Sequence, residues 1–314
     1  MSTGIKTIFG AAGLGRDSSW FAQALDTLEA HHVDTLDTAE LYTDSEKVLG
    51  EHEAHKRFVI DTKFASVFGG SSAKPDTILK SASKSLSTLG TKQVDIYYIH
   101  APDKDTPLEE TLKGIQQLYE QGAFKRFGLS NYKAADVQKA YDVCKQNGYV
   151  LPTVYQGNYS PVARRQETEL LPTLRKLNMA FYAYSPLAGG FLTKTAKDLE
   201  EGKGRFNKDT PLGKMYSSLY AERKSLVEAL SDWEAIAKEV GCGKAELAYR
   251  WVKYDSPLKP ENGDGIIVGA RTLEQLQETL KGLEAGPLPK DVVKKIDEVW
   301  EKIKHEAPLD NLAG

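Results

Sequence analysis

A single (β/α)8 barrel, the TIM-barrel member of the α/β class, is the fold this sequence predicts, and three observations predict it. Eight short apolar runs bounded by turn residues recur along the chain, segments with helical period separate them, and reactive side chains stand at the ends of successive runs. The 314 residues supply ample apolar material for one such core. With no internal repeat or linker, residues 1–314 read as one domain, with a long loop after the seventh strand and a C-terminal helix and tail. An open, doubly wound sheet is the competing arrangement of the same alternation.

The strands are expected at Thr7–Ala12, Val33–Ala39, Phe58–Lys63, Val94–His100, Phe127–Ser130, Thr153–Gln156, Ala180–Tyr184 and Gly265–Val268. Between them, Ile78, Leu79, Ala82, Leu86 and Leu89 recur at helical spacing, as do Leu108, Leu112, Ile115 and Leu118. Thr106-Pro-Leu-Glu109 reads as a capping box with Pro at the first helical position, and Gly122 closes that helix. Ala134 to Cys144 carry the next helical stripe. Leu170 to Leu177 carry another, with Pro172 either kinking it or marking its start. From Ala188 to about Leu219 the pattern fails in a run rich in Gly and Lys, too long for an ordinary connection and so functional or disordered. Helical period returns around Trp233, Leu247, Leu273 and Val292.

Composition narrows the partners. Forty-one basic against forty-four acidic residues leave no electrostatic footprint for nucleic acid or an anionic membrane, so a small molecule is the expected partner. No apolar run approaches the roughly 20 residues of a membrane span, and the polar start lacks a signal-peptide core, so a cytoplasmic location is expected. Cys144 and Cys242 sit in helical patterns away from metal-ligand spacing, which suits a reduced compartment.

Read in order, the strand ends carry Asp37, Lys63, His100, Ser130 with Asn131, Gln156, Tyr184 with Ser185, and Gly269 to Arg271. In a barrel these face one cavity. Tyr42 follows Asp37 by five residues, which moves a phenol off the strand end and over that cavity. A tyrosine that donates a proton near neutrality needs a cation beside it, and Lys63 is the candidate. A unit charge about 4 Å away at an effective dielectric near 20 is worth roughly 4 kcal/mol, on the order of three pKa units before desolvation offsets it. Asp37 then anchors the ammonium, and a neutral His100 orients the oxygen that becomes negative. This is a carbonyl-reducing arrangement with no metal.

Reduction needs a hydride source that side chains do not provide. Ser130, Asn131 and Gln156 suit a nicotinamide carboxamide, and Tyr184 offers a ring face to the heterocycle. Gly269-Ala-Arg271 precedes Thr272-Leu-Glu-Gln275, a capping box opening a helix whose free N–H groups favour phosphate. Among the cations of the long loop, Lys194, Lys203, Arg205 and Lys208, Arg205 is the expected pyrophosphate contact, with a substrate carboxylate as its other possible partner. Phe64, Tyr159, Phe206 and the tail from Pro308 to Leu312 are expected to line an apolar substrate pocket.

Nearly the whole chain resembles the aldo-keto reductases, within them the aflatoxin-aldehyde and succinic-semialdehyde reductase branch. The resemblance rests on Leu36-Asp-Thr-Ala39 with Tyr42, Thr62-Lys63, Tyr98-Ile-His-Ala-Pro-Asp103, Gly128-Leu-Ser-Asn-Tyr132, Leu151-Pro-Thr-Val-Tyr-Gln-Gly157, Phe181 to Gly190, and Leu273-Glu-Gln-Leu276. It implies a catalytic tetrad of Asp37, Tyr42, Lys63 and His100 and an extended NADPH/NADP+ across the barrel mouth. It also implies cofactor contacts from Ser130, Asn131, Gln156, Tyr184, Ser185, Leu187, Gly189, Arg205, Gly269, Arg271 and Gln275. Glu278 lies beside Thr279, which stands where this branch commonly carries an adenine-side Asn. The implied reaction is reduction of aldehydes, ketones or dicarbonyls, and a homodimer is the family-level expectation. A cofactor-binding redox sensor of the channel β-subunit kind is the alternative of a different class. A short-chain dehydrogenase would use Gly10-Ala-Ala-Gly-Leu-Gly15 and Tyr141 with Lys145, but that glycine spacing is one residue short and Tyr141 lies on an apolar stripe.

Overall fold

In the computed structural model, which describes residues 4–14 and 18–310, eight parallel strands close into a barrel in sequence order, the last pairing with the first. They are β1 Lys6–Gly10, β2 Thr35–Asp37, β3 Val59–Phe64, β4 Val94–Ile99, β5 Phe124–Ser130, β6 Pro152–Asn158, β7 Ala180–Tyr184 and β8 Gly265–Val268. A closed parallel sheet has both faces covered, which is why the strands read as apolar runs and not as alternations. Closure also excludes the open, doubly wound alternative. Of the rival phosphate-loop motif, Gly10 ends β1 and Gly15 lies outside the described residues.

Two cores result. Ile8, Ile96, Tyr98, Val154, Tyr182 and Ile267 pack inside the barrel, whereas Phe9, Leu36, Tyr97, Leu129, Tyr155 and Phe181 pack outward against the helices. Gly128 makes the inner layer possible: a Cβ there would lie 2.2 Å from the Tyr98 ring. β5 starts three residues earlier than expected because its first inward residue is charged. Arg126 pairs with Asp95 at 2.6 Å and reaches the Tyr182 hydroxyl at 3.3 Å. With Lys6–Asp34 and Arg175–Asp264 it sits at the amino ends of the strands and helps to close the barrel floor. Asp264, fully buried, also accepts the Phe181 and Lys259 amides.

Two helix starts differ in detail from expectation. Helix Leu108–Glu120 begins after Pro107, and the Thr106 hydroxyl is bonded to Asp103, so no capping box forms there. Pro172 marks a start, in the first turn of Leu171–Lys176. The run after β7 is ordered by local caps. Thr195 and Asp198 form a full capping box opening Ala196–Glu200, Thr210 caps Pro211–Tyr216 through the Gly213 amide, and a π-helical turn follows over Ser217–Ala221. Among the described residues no helix is long and apolar enough to cross a membrane.

Candidate active site

The carboxyl ends of β2, β3 and β4 gather the reactive groups. Asp37 is the last residue of β2; Lys63 points inward one residue before β3 ends; His100 directly follows β4. The fully buried Lys63 ammonium donates to Asp37 Oδ2 at 2.6 Å and to the Thr38 carbonyl at 2.7 Å. It lies 5.1 Å from the centre of the Tyr42 ring. The His100 ring meets Tyr42 edge-on at 5.7 Å and Phe68 at 5.2 Å. The four expected catalytic residues are therefore in one cluster.

Electrostatics assign their states. Burial disfavours the Lys63 ammonium, but the Asp37 carboxylate, the Tyr42 phenol and Asp61 outweigh it and hold the amine above its usual value. Burial, helped by the Lys63 charge, pushes His100 down to about 3, so its ring is neutral. Tyr42 departs from expectation. Burial round its hydroxyl raises it most, Lys63 pulls it down by charge and hydrogen bond, Asp37 pushes it up again, and the net direction is upward. The lysine offsets the cost of burying a phenolate without overcoming it in the protein alone.

The second half of the mouth is a hydrogen-bonded relay. Gln156 donates from Nε2 to Asp37 Oδ1 at 2.8 Å. Asn131, in a left-handed conformation at φ 60°, donates from Nδ2 to the His100 carbonyl at 2.8 Å and to Ser130 Oγ at 3.2 Å. Its Oδ1 accepts from the Tyr184 hydroxyl at 2.8 Å. These amides thus tie Asp37, His100, Ser130 and Tyr184 into one network. Ser185, Ala188, Gly189 and Gly190 all have positive φ and wrap the chain tightly after β7, with Leu187 between them. Gly189 has no room for a side chain: a Cβ would lie 2.1 Å from the Tyr216 ring.

Of the loop cations, Lys203 is engaged by Asp198 and Glu201, and Lys208 by Glu222. Arg205 instead lies 5.7 Å above the Tyr216 ring and acts on Tyr249, itself bonded to Thr279. That brings the loop to helix Leu273–Glu284. At its start Thr272 caps the Gln275 amide, and Gln275 Oε1 accepts the Arg271 amide, so the box reaches back one residue further than expected. Gly269, Arg271, Gln275 and Glu278 lie exposed there.

The expected substrate pocket needs correction. Phe64 is fully buried in the helix-facing core, because alternation along β3 turns it out where Lys63 turns in. Tyr159 stacks on Trp251 at 5.8 Å and donates to Glu167, and Phe206 is buried against Phe191 and Tyr216. In their place Leu41, beside Tyr42, and Val67 and Phe68, on the turn Ser66–Gly69, leave apolar surface exposed. Large apolar residues in strand-end loops were the available signal. The tail does come back: Gln166 holds the Leu309 carbonyl at 3.0 Å and buried Asp310 acts on Tyr155 and Tyr184, while Asn311 and Leu312 lie outside the described residues.

A buried ammonium, a phenol and a neutral imidazole thus cluster at the carboxyl end of a parallel barrel, the end at which barrel enzymes carry their active sites. Residues 6–301 match the model of the aldo/keto reductase family. The chain belongs to that family and is an oxidoreductase of it. It is 40% identical to "Oxidoreductase sirO" of Leptosphaeria maculans, over 92% of this chain and 88% of that one. It is 38% identical to "Aflatoxin B1 aldehyde reductase member 2" of Rattus norvegicus, over 96% of this chain and 86% of the relative. With "Aflatoxin B1 aldehyde reductase member 4" of Homo sapiens the identity is 38%, covering 96% of each.

Proposed function

We propose that this protein reduces aldehydes with NADPH, with Tyr42 as the proton donor. The observation that carries the reading is the fully buried Lys63 ammonium, fixed by Asp37 and Thr38 beside the Tyr42 ring. The aldehyde reductases among its relatives support it.

The residues present fit a dinucleotide. Gly190, at φ 100°, has nothing within 4 Å of the position of a Cβ, and Gly189 beside it is backed by Tyr216, so bare backbone is available to a phosphate. Arg205, Arg271 and Gln275 would hold the phosphates, Ser130, Asn131 and Gln156 the carboxamide, and Tyr184 the ring. NADPH, when bound, supplies the hydride. The chain supplies the rest. His100, neutral, donates a ring N–H to the carbonyl oxygen and turns it toward Tyr42. Tyr42 then delivers its proton as that oxygen gains charge, and Lys63 stabilises the phenolate left behind. The raised pKa of Tyr42 keeps the proton on the phenol until the carbonyl oxygen gains charge. Leu41, Val67 and Phe68 favour substrates with an apolar or aromatic body.

Tyr42→Phe removes the proton and leaves the ring. Stopped-flow NADPH oxidation with an aromatic aldehyde should fall about a hundredfold or more, with cofactor affinity retained. A rate equal to wild type refutes the assignment.

A further inference from the structure

Beneath the Lys63–Asp37 pair lies an acid that the reaction as described does not use. Asp61 and Asp37 are register partners on β3 and β2, so their backbones are one strand spacing, about 4.8 Å, apart. Lys63 follows Asp61 by two residues and shares its inward face. Asp61 has no exposed surface. Its Oδ1 accepts the Ile96 amide at 3.1 Å, and its Oδ2 is buried with no partner among the described residues.

The groups facing it come from five strands: Asp37 on β2, Lys63 on its own strand, Asp95 and Tyr98 on β4, Arg126 on β5 and Tyr182 on β7. Neither cation forms an ion pair with it, since Lys63 is bound to Asp37 and Arg126 to Asp95. An ionised Asp61 would set a second negative charge beside Asp37 in a dry interior, which favours the acid form. Burial first, then Asp37 and Asp95, pushes its carboxyl up to about 8, against the pull of Arg126 and the Ile96 amide.

We propose that Asp61 is a positioning residue of the reaction: as a neutral acid it keeps a second negative charge away from the Lys63–Asp37 pair, and its ionisation weakens Tyr42 as a proton donor through Lys63. The added charge tightens the ammonium's hold on its own proton and disfavours a phenolate nearby. The Asp61 proton goes to solvent and never to the substrate. Tyr42 and Lys63 are held above their ordinary values and His100 far below its own, so of these four groups Asp61 alone changes charge just above neutral pH.

The proposal rests on Tyr42 being the proton donor, and the test separates the two. Single-turnover NADPH oxidation is followed with 4-nitrobenzaldehyde, from about pH 6 to 10, in wild type, Asp61→Asn and Tyr42→Phe. Wild type should lose about tenfold in rate through one ionisation near pH 8; Asp61→Asn should lose less than about twofold over the same range. Unimpaired Tyr42→Phe overturns the reading of the site. An inactive Tyr42→Phe, with the pH step still intact in Asp61→Asn, overturns the role of Asp61 alone. If Asp61→Asn does not fold, carboxyl carbon NMR of aspartate-labelled wild type decides: one aspartate titrating near pH 8 supports the proposal, and all titrating in the ordinary carboxylate range refute it.

Discussion

Asp37→Asn is the sharpest probe of the site's electrostatics because both oxygens of Asp37 face donors. The Lys63 ammonium sits at 2.6 Å from one and Gln156 Nε2 at 2.8 Å from the other. An asparagine offers an oxygen to only one of these donors: with its NH2 toward Lys63 the ammonium keeps only the Thr38 carbonyl, and with its NH2 toward Gln156 the ammonium keeps neutral acceptors in place of a carboxylate. The lysine and aspartate side chains are 0% and 4% exposed, so solvent does little to screen the loss. Removing one partner from such a pair costs about 3–5 kcal/mol. At about 2.1 cal/mol/K per residue, unfolding 314 residues carries about 0.66 kcal/mol/K, so a 4 kcal/mol loss lowers Tm by about 6 °C. Calorimetry on wild type, Asp37→Asn, Lys63→Met and the double variant measures this directly. The double variant removes the stranded charge, so its loss should fall short of the sum of the single losses by about 2 kcal/mol. An Asp37→Asn midpoint within about 1 °C of wild type, or strict additivity, refutes the argument.

Two further outcomes are expected. Phe68→Ala removes the exposed ring beside His100, so KM for a bulky aromatic aldehyde should rise about fivefold, roughly 1 kcal/mol of lost apolar contact, with KM for a short aldehyde unchanged. Equal effects on both, read from initial rates, would remove Phe68 from the substrate wall. His100 titrates at about 3 in the fold against 6.5 unfolded, so its contribution is present above pH 6.5 and lost as pH falls toward 3, by up to about 1.4 kcal/mol per pH unit. Urea midpoints through that window should fall less steeply for His100→Asn than for wild type; identical slopes would contradict a buried neutral ring.

The barrel and the cluster at its mouth were legible because closure buries both faces of each strand and leaves most strand residues apolar up to the point where the chain exits at the mouth. Asp37, Lys63 and His100 stand out against apolar runs for that reason. The same both-sided burial hid the phase of each strand. Once Lys63 is inward, Phe64 has to face the helices, yet no polar alternation in Phe58–Phe64 announces it. The apolar run of β5 begins three residues after the strand does for the converse reason: Arg126 interrupts it while sitting inside the barrel, neutralised by Asp95. The long run after β7 carried its order in short caps, Thr195 with Asp198 and Thr210 with Gly213, which a search for apolar period passes over.

What sequence could not supply was the balance of terms at a point. Placing Lys63 beside Tyr42 was enough to give the sign of one contribution, the charge that lowers the phenol. The net direction depends on how much solvent the surrounding atoms exclude and on a second carboxylate, and burial wins. Asp61 makes the same point more strongly. In sequence it is one polar residue in Val59-Ile-Asp-Thr-Lys63, on the face of Lys63 by its two-residue spacing but with no sign of what stands across from it. Only the pairing register sets it beside Asp37, and only the prior engagement of Lys63 and Arg126 leaves it without a counter-charge. The proposed tuning of the mouth from below thus depends on residues whose chemistry becomes visible when the strands are aligned.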